Sequence, residues 1–484
     1  MSYIVAIDQS TSGTKVALWD EQLRMVRMER RKHRQFYPAP GYAEHDAEEI
    51  WNNTAALLCS VTSEIDPQQI AGIGIANQRE TTVFWERATG KPVCPAIVWQ
   101  DVRARSVAER MRDCAEMIFQ KTGLRPSAYY SAAKAAYVLQ GDASLMARAM
   151  RGELRMGTIE SYLLYRLTEG KKFLTDVTNA SRTQLLNIHT CAWDPELIRM
   201  FHIPENMLAK QTLTCDADFG VVTAIRALRG VPVRAMMGDS HASFLGHGCM
   251  KPGMVKASYG TGSSIMMNIG QTPRLSRSGL STSIGYSYGG QTCYVLEGNV
   301  TCSADTLVWL KEDLQLINSM NELSLAGEVD DTGGVYLVPA FSGLGAPWFD
   351  ENARAILCGM NRGTRKSHVI RAALASLAHQ DADILDAMYA DTGIQIRRLQ
   401  ADGGGSVNPI LMQMQSDYTP CTIAVAADQE LTLRGIAALA GFRAGMFALG
   451  ARPAPIAAVY EPIMKCEKRT KEREGWRDAL RRCR

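Results

Sequence analysis

Two stretches of the chain, about half its length apart, show the same order of hydrophobic and polar positions. In residues 4–20 an apolar run ends at Asp8, a turn of hydroxyl residues and glycine follows, and a second apolar run comes next. Residues 255–268 repeat this order around the turn Tyr259-Gly260-Thr261-Gly262. Two apolar runs around such a turn predict a β-hairpin. The repeat suggests two related domains that close on one ligand, and we place their boundary between residues 248 and 249.

The rest of the chain alternates between short apolar runs and amphipathic segments, which is typical of α/β proteins. Apolar residues at helical spacing predict helices over residues 47–65, 103–121, 132–139, 143–150, 158–167, 302–316, 367–388, 408–418, 429–446 and 466–484. Short apolar runs predict strands over residues 70–76, 82–85, 96–99, 231–237, 335–339 and 396–401.

Polar residues follow several of these predicted strands at the point where each strand ends. They are Asp8, Arg79, Trp99, Asp239 and Asp402. Ligands of open α/β sheets bind outside the carboxyl ends of the strands. The sequence therefore predicts one site to which several strand ends contribute.

Composition excludes several classes of protein. The chain has 484 residues, 46% of them hydrophobic and 21% charged, and its net charge of +3 gives no argument for nucleic-acid binding. It has no run of about 18 apolar residues and no apolar leader, so we expect neither a membrane span nor a signal sequence. The twelve cysteines form no C-x-x-C pair, which favours reduced thiols and a cytoplasmic protein.

The common motifs of nucleotide and hydrolase chemistry are missing or misplaced. There is no P-loop, no G-x-G-x-x-G that opens a helix and no H-E-x-x-H, and the G-x-S-x-G at residues 285–289 lies among predicted strands. What remains is three turns of glycine and hydroxyl residues, at 8–15, 259–264 and 402–406. Backbone N–H groups in such turns bind phosphate. Asp8 could hold Mg²⁺, and phosphoryl transfer needs little beyond positioning and charge neutralisation.

Seven stretches together resemble the FGGY carbohydrate kinases of the actin-like ATPase superfamily, nearest to the glycerol kinase branch. The matching stretches run almost from end to end of the chain. They are residues 8–12 (Asp8-Gln9-Ser10-Thr11-Ser12), 76–81, 97–101, 238–239, 259–262, 338–344 and 402–404.

The resemblance implies an α/β fold of two actin-like (ribonuclease H-like) domains with a central cleft for nucleotide and substrate. It implies an acceptor-binding domain over residues 1–248 and a nucleotide-binding domain over residues 249–484. The implied reaction transfers the γ-phosphoryl group of ATP, with Mg²⁺, to a terminal hydroxyl of glycerol or a related short polyol or ketose.

Roles for individual residues follow from the same resemblance. Asp239 would be the general base that takes the proton of the acceptor hydroxyl, and Asp8 would serve the Mg²⁺ ion. The residues implied for the acceptor are Arg79, Glu80, Trp99, Tyr129, Asp239, Ser240 and Ser264. The residues implied for the nucleotide are Thr11, Ser12, Lys15, Gly260, Thr261, Gly403, Gly404 and Asn408, the last close to the adenine.

Two positions depart from the glycerol kinase pattern. Glycerol kinases usually have Gln where this chain has Ser240, and Phe where it has Ser264. Both differences shrink a side chain at the pocket, and the second replaces an apolar group by a polar one. They predict a wider and more polar pocket that takes a longer polyol or a ketose.

Three alternatives remain open. The acceptor could be a larger pentitol or a ketopentose such as xylulose. The chain could instead be a nucleotide-gated ATPase of the actin or chaperone type, which has no small-molecule acceptor, or a catalytically dead sensor. The expected partners are a small polyol or sugar, with no nucleic acid and no membrane, and a homodimer or homotetramer is an open alternative to a monomer.

Overall fold

A computed structural model describes residues 2–484 and contains one large β-sheet in each half of the chain. Both predicted hairpins are formed, since residues 4–10 pair antiparallel with residues 13–19, and residues 255–259 pair antiparallel with residues 263–267. The strands of the first half are β1 Tyr3–Ser10, β2 Gly13–Trp19, β3 Met25–Lys32, β4 Gln35–Phe36, β5 Glu44–His45, β6 Ile70–Asn77, β7 Val83–Glu86, β8 Ala96–Ile97, β9 Leu154–Gly157, β10 Leu174–Asp176, β11 Leu186–Asn187, β12 Ala192–Trp193, β13 Lys210–Thr212 and β14 Val233–Gly238. Those of the second half are β15 Val255–Tyr259, β16 Ser263–Gly270, β17 Ser281–Tyr288, β18 Gln291–Val300, β19 Tyr336–Val338, β20 Ile356–Cys358, β21 Arg398–Asp402, β22 Thr422–Ala426 and β23 Ile456–Tyr460.

The two large sheets share one topology. The first has the strand order β14-β6-β1-β2-β3, in which β1, β2 and β3 are antiparallel and β6 and β14 run parallel to β1. The second has the order β17-β18-β16-β15-β21-β22-β23. Its segment β18-β16-β15 is antiparallel, and β21 and β22 run parallel to β15. The repeat seen in the two hairpins therefore extends to five strands of each sheet.

Helices cover the sheets and mostly agree with the spacing of apolar residues. The stripe predicted on the long helix is buried, with Ile370, Leu374 and Ile384 fully inaccessible. The α-helices are α1 Ala47–Val61, α2 Arg105–Arg110, α3 Ala115–Thr122, α4 Ser131–Gly141, α5 Ala143–Met150, α6 Ile159–Leu167, α7 Val177–Ala180, α8 Pro195–Met200, α9 Asp239–Gly246, α10 Asp305–Glu312, α11 Lys366–Thr392, α12 Pro409–Tyr418, α13 Leu431–Arg443 and α14 Cys466–Cys483. The 3₁₀-helices are Pro67–Gln69, Arg112–Cys114, Glu205–Met207, Arg226–Leu228, Met320–Glu328 and Gly404–Val407.

Two predicted helices are wrong in extent. The helix predicted over residues 103–121 is divided into α2 and α3 by the 3₁₀-helix Arg112–Cys114. No side chain of residues 111–114 is fully buried, so packing does not hold a continuous helix there. The helix predicted over residues 302–316 is limited to α10, because the backbone before it is used to bind the turn at residues 260–261.

Helix α13 lies in the second half of the sequence but packs on the sheet of the first half. Its residues Leu433, Ile436 and Ala440 share one buried cluster with Ile4 and Met237. It also crosses α9 at very short distance, since a Cβ atom at Gly435 would overlap the carbonyl oxygen of Ala242. Each large sheet consists of strands from one half of the chain only, whereas this buried cluster contains residues from both halves.

Within residues 2–484, no helix has both the length and the apolar surface that crossing a bilayer requires.

Candidate functional site

The ends of three neighbouring strands bring the predicted catalytic residues together. In the first sheet β6 lies between β1 and β14, and Gln9, Asn77 and Gly238 are aligned across the three strands. Asp8 lies two residues before the end of β1, beside the end of β6, from which the chain continues to Arg79. Asp239 follows Gly238 directly and begins α9.

Arg79 connects the predicted base to the second half of the chain. Its side chain is only 6% exposed, and its Nε lies 3.4 Å from Oδ1 of Asp239. Its Nη2 donates to the Ser240 hydroxyl at 3.2 Å. Nη1 and Nη2 also donate to the two carboxylate oxygens of Glu297, at 2.9 and 2.8 Å. This bidentate pair fixes the guanidinium plane, so Arg79 presents a defined edge to Asp239 and Ser240.

Glu80 is held in place from both sides. Its backbone has a positive φ of 60°, which is unusual for a residue other than glycine. Its Oε1 accepts from Nε of Arg182 at 2.5 Å, and its carbonyl oxygen accepts from Ser131 and Lys134. Since Arg182 also lies 3.1 Å from Glu297, two buried arginines and two buried glutamates form one network. Burial lowers the pKa of Lys134 to about 7, although the Glu80 carboxylate opposes the shift.

Two aromatic side chains lie beside this network. The rings of Trp99 and Tyr129 meet edge to face, with centroids 5.8 Å apart. The indole Nε1 of Trp99 donates to the Thr11 hydroxyl at 2.8 Å. Thr11, which we predicted to bind phosphate, is therefore also the contact between the first hairpin and the predicted acceptor pocket.

The carboxylates of Asp8 and Asp239 act on each other electrostatically. Burial, and then the negative charge of Asp239, raise the pKa of Asp8 to about 7, while Lys15 and a 2.9 Å hydrogen bond from Ser10 oppose the shift. Burial also raises the pKa of Asp239, and Arg79 opposes that shift. The combined negative charge of the two carboxylates attracts a cation.

The donor set fits a magnesium ion that is shared with phosphate. Residues 2–484 contain no cluster of three or more His, Cys, Asp or Glu side chains that could enclose a metal. Mg²⁺ usually takes one or two carboxylates of the protein and completes its shell with water and substrate phosphates. Asp8, in the first strand of the first hairpin, is suited to be such a carboxylate.

The second hairpin and the glycine turn after β21 pack against each other. Gly403 has a φ of +86°, and a Cβ atom there would lie 2.6 Å from the carbonyl oxygen of Tyr259. Glycine is therefore required at this position. The carbonyls of Gly260 and Thr261 accept hydrogen bonds from Ala304 and Ser303 at 3.0 and 2.9 Å, which joins the hairpin turn to the start of α10.

Gly260 and Gly404 are exposed, unlike the glycines that pack against backbone. No atom lies within 4 Å of a Cβ placed on Gly404, and the nearest to one on Gly260 is 3.4 Å away. The turns therefore leave open space at both positions, as the approach of a ligand to the backbone requires. Thr261, which follows Gly260, is exposed as well.

Three further residues predicted for the nucleotide have other positions or partners. Ser12 is exposed at the tip of the first hairpin. The ammonium group of Lys15 lies 2.6 Å from the Glu430 carboxylate, just before α13, so a phosphate would have to compete for it. Asn408 caps α12, and its Oδ1 accepts from the backbone N–H groups of Ile410 and Leu411. Only its amide nitrogen remains for an adenine.

Four buried charged residues of the site were not predicted from the sequence. Arg182, Glu297, Lys256 and Lys134 are each at most 1% exposed. Glu297 and Lys256 are the single charged residues of β18 and β15, which is a signal that could have been used. The sequence gives no sign that Arg182 pairs with Glu80 and Glu297, because these partners lie 102 and 115 positions away.

One contact links α9 to the glycine turn. Oδ2 of Asp402 lies 2.9 Å from Nε2 of His247 and accepts from the Ser243 hydroxyl at 3.1 Å. Burial acts to raise the pKa of Asp402, but the hydrogen bond and charge of His247, and then the charge of Lys256, lower it to about 2. Asp239, Ser243 and His247 are spaced four residues apart, so one face of the helix joins the predicted base to the predicted nucleotide turn.

Comparison with known proteins gives the same assignment along the whole chain. Residues 3–246 match the N-terminal domain of the FGGY family of carbohydrate kinases, and residues 255–444 match its C-terminal domain. The chain is 40% identical to a glycerol kinase of Shewanella baltica over 490 residues, which covers 100% of this chain and 99% of that protein. It is also 40% identical to a glycerol kinase of Halorhodospira halophila, with 99% of this chain and 96% of the relative covered.

Solved structures confirm the two-domain actin-like fold. A glycerol kinase of Plasmodium falciparum, solved with ADP, superposes with a TM-score of 0.95 at 33% identity and covers 100% of this chain and 98% of that one. A xylulose kinase of Lactobacillus acidophilus shares the fold, with a TM-score of 0.87 at 21% identity over 99% of this chain and 96% of that one. The resemblance read from the sequence is confirmed, and the chain belongs to the FGGY family of carbohydrate kinases, phosphotransferases that act on an alcohol group.

Proposed function

We propose that the protein transfers the γ-phosphoryl group of ATP to a terminal hydroxyl of glycerol or a related short polyol or ketose. The observation that carries this proposal is the position of Arg79, which contacts Asp239 and Ser240 beside the buried carboxylate of Glu80. Arg79 supplies donors and Glu80 supplies acceptors, which together recognise hydroxyl groups. An ATPase without a small acceptor has no need of this arrangement.

The proposed reaction begins with proton transfer to the Asp239 carboxylate. As the acceptor hydroxyl loses its proton, its oxygen forms a bond to the γ-phosphorus of ATP. The bond from that phosphorus to the bridging oxygen of the β-phosphate breaks, and ADP leaves. Arg79 and Glu80 would orient the acceptor through its other hydroxyls, and Trp99 and Tyr129 would cover its C–H face.

The nucleotide would bind between the two hairpins. We propose that residues 1–248 bind the acceptor and residues 249–484 bind the nucleotide, with Thr11, Thr261 and the Gly403-Gly404 turn near the phosphates. Mg²⁺, when bound, neutralises charge on the β- and γ-phosphates, and Asp8 would hold it. We also propose that Ser12, Lys15 and Asn408 contact the nucleotide. We place the protein in the cytoplasm, because all twelve of its cysteines are free thiols.

The variant Asp239→Asn tests the proposed base. It keeps the size of the side chain but cannot accept the proton, so we expect kcat with glycerol to fall by about 10²- to 10⁴-fold. ATP should still protect the variant against thermal unfolding, since the base does not bind the nucleotide. Asp113→Asn, an exposed residue, is the control. Activity of Asp239→Asn within a factor of about three of wild type would refute the assignment.

Release of ADP separates the kinase from the ATPase alternative. A kinase should release ADP rapidly only when a polyol is present, because closure around both substrates keeps water from the γ-phosphoryl group. An equal rate of release with and without every polyol and ketose tested would favour the ATPase.

A further inference from the structure

One face of the second sheet carries a row of polar groups toward the predicted base. In the pairing of β15 with β16, Ser258 lies directly opposite Ser264. Lys256 is two residues before Ser258 and therefore points to the same face of the strand. Its ammonium nitrogen lies 3.1 Å from the Ser258 hydroxyl and 3.3 Å from the Ser264 hydroxyl.

Lys256 is a buried cation with weak partners. It is only 1% exposed, and within residues 2–484 no carboxylate oxygen lies within 4 Å of its nitrogen. Two of its three N–H groups can be satisfied by the serine hydroxyls, which leaves one donor without an assigned acceptor. Burial lowers the pKa of Lys256, and the charges of Asp402 and Glu297 oppose that shift. One N–H of this group is therefore available to a hydrogen-bond acceptor that enters the cleft.

Ser264 connects Lys256 to the network of Arg79. Its hydroxyl lies 3.5 Å from Oε1 of Glu297, whose two oxygens are both held by Arg79. Arg79 in turn contacts Ser240 and Asp239. A continuous polar wall therefore leads from the predicted base to Lys256, and Ser240 and Ser264 are its half-buried hydroxyls.

The donors and acceptors of this polar wall determine which chemical group it can bind. Lys256 donates, whereas the Ser264 hydroxyl can both donate and accept. A hydroxyl group satisfies both of them, because it also donates and accepts.

We propose that Ser264 and Lys256 form a subsite for one additional hydroxyl of the acceptor, so that this kinase prefers a linear four-carbon polyol to glycerol. The inference rests on the proposed function and concerns only the choice of acceptor. Glycerol would leave the third N–H group of Lys256 without an acceptor, and an unpaired buried donor reduces binding of the shorter substrate.

Kinetics with two polyols tests the inference. We expect kcat/KM for meso-erythritol to exceed that for glycerol by about tenfold, the effect of one well-placed hydrogen bond to a charged group. A kcat/KM for glycerol equal to or above that for erythritol would overturn the inference and leave the kinase assignment intact. If ATP supports phosphorylation of no polyol or ketose, the proposed function itself fails.

Two variants separate the volume of the subsite from its hydrogen bonds. Ser264→Ala keeps the space and removes the hydroxyl, and should lower the ratio of kcat/KM for erythritol to that for glycerol by about three- to tenfold. Ser264→Phe fills the space, and should lower the ratio further. Ser324→Ala, the same change at an exposed hydroxyl outside both sheets, should leave the ratio as it is.

The thermal unfolding of each variant must be measured alongside its kinetics. A ratio is compared only between folded enzymes, and Ser264 is half-buried rather than part of the core. If both Ser264→Ala and Ser264→Phe leave the ratio of kcat/KM for erythritol to that for glycerol unchanged, Ser264 does not contribute to the choice of acceptor, and the inference is wrong.

Discussion

The two adjacent glycines after β21 have different physical requirements. Gly403 combines a φ of +86° with close contact to Tyr259, so any side chain there strains the backbone and collides with it. Gly404 is exposed and has open space where its Cβ would be. Both positions are glycine in the sequence motif. The fold requires glycine at position 403, whereas at position 404 the structure has room for a side chain, so a bound ligand is the better reason for glycine there.

The variant Gly404→Ala should therefore affect the nucleotide and not the fold. We expect its melting temperature to stay within about 2 °C of wild type, whereas KM for ATP rises by about tenfold or more if phosphate or ribose approaches this backbone. Steady-state kinetics and thermal unfolding measure the two effects. Gly141→Ala, at another open position on α4, is the control, and an unchanged KM for ATP would remove Gly404 from the nucleotide site.

Asp381 of α11 is a buried carboxylic acid that has no role in the proposed reaction. Neither of its carboxylate oxygens has a hydrogen bond of ordinary geometry within the described residues 2–484. Burial raises its pKa from 3.8 to about 8, which the nearby hydroxyls of Tyr259 and Ser263 only partly oppose. The folded protein thus keeps a proton here under conditions where the unfolded chain has lost it.

This difference makes the stability of the protein depend on pH. Because the folded state binds the additional proton, the free energy of unfolding should fall as pH rises from about 4 to about 8. The variant Asp381→Asn cannot ionise at this position, so it should lose the part of the dependence that Asp381 contributes and melt at least about 2 °C above wild type at pH 9. Thermal unfolding across that range is the measurement, with Asp113→Asn as the exposed control. Parallel curves for Asp381→Asn and wild type would contradict the shifted pKa.

At the scale of elements, the sequence predicted the parts that depend on neighbours along the chain. The hairpins follow from apolar alternation around a short turn, and the stripe of α11 follows from helical spacing, since both patterns are local. Division of the helix predicted over residues 103–121 could not be predicted, because it depends on which side chains find a buried partner. The network of Arg79, Arg182 and Glu297 was missed for the same reason.

The crossing of α9 and α13 is the contact between elements on which the position of Asp239 depends most directly. α9 begins at Asp239, and the glycines Gly246 and Gly435 let the two backbones approach each other. The variant Gly435→Ala should force the helices apart. We expect a loss of roughly 2 kcal/mol or more in the free energy of unfolding, since overpacking of a close contact typically costs that much.

The same variant should lower kcat more than it raises KM for ATP, because displacement of α9 moves the base rather than the nucleotide turns. Chemical unfolding and steady-state kinetics at a temperature where the variant is folded measure these effects. Gly141→Ala is again suitable as control. Wild-type stability and kcat in Gly435→Ala would show that the crossing tolerates a methyl group.

At the scale of the whole molecule, several ion pairs among the site residues join the two halves of the chain. Lys15 pairs with Glu430, Arg79 pairs with Glu297, and Asp402 binds His247, each joining a residue of one half to one of the other. Closure around substrates must keep or exchange these contacts, so a change at the acceptor can reach the nucleotide turns through them. This link depends on the folded structure, because the paired residues are far apart in the sequence.

The position of α13 also affects how the protein can fold during its synthesis. The first sheet is complete once residue 238 has been synthesised, yet the helix that covers part of it ends at residue 443. A nascent chain must therefore carry an uncovered apolar face on its first domain until almost the entire polypeptide has left the ribosome. Chaperone binding during translation should concentrate in that interval, and a message cut short after the first half would yield a product that aggregates.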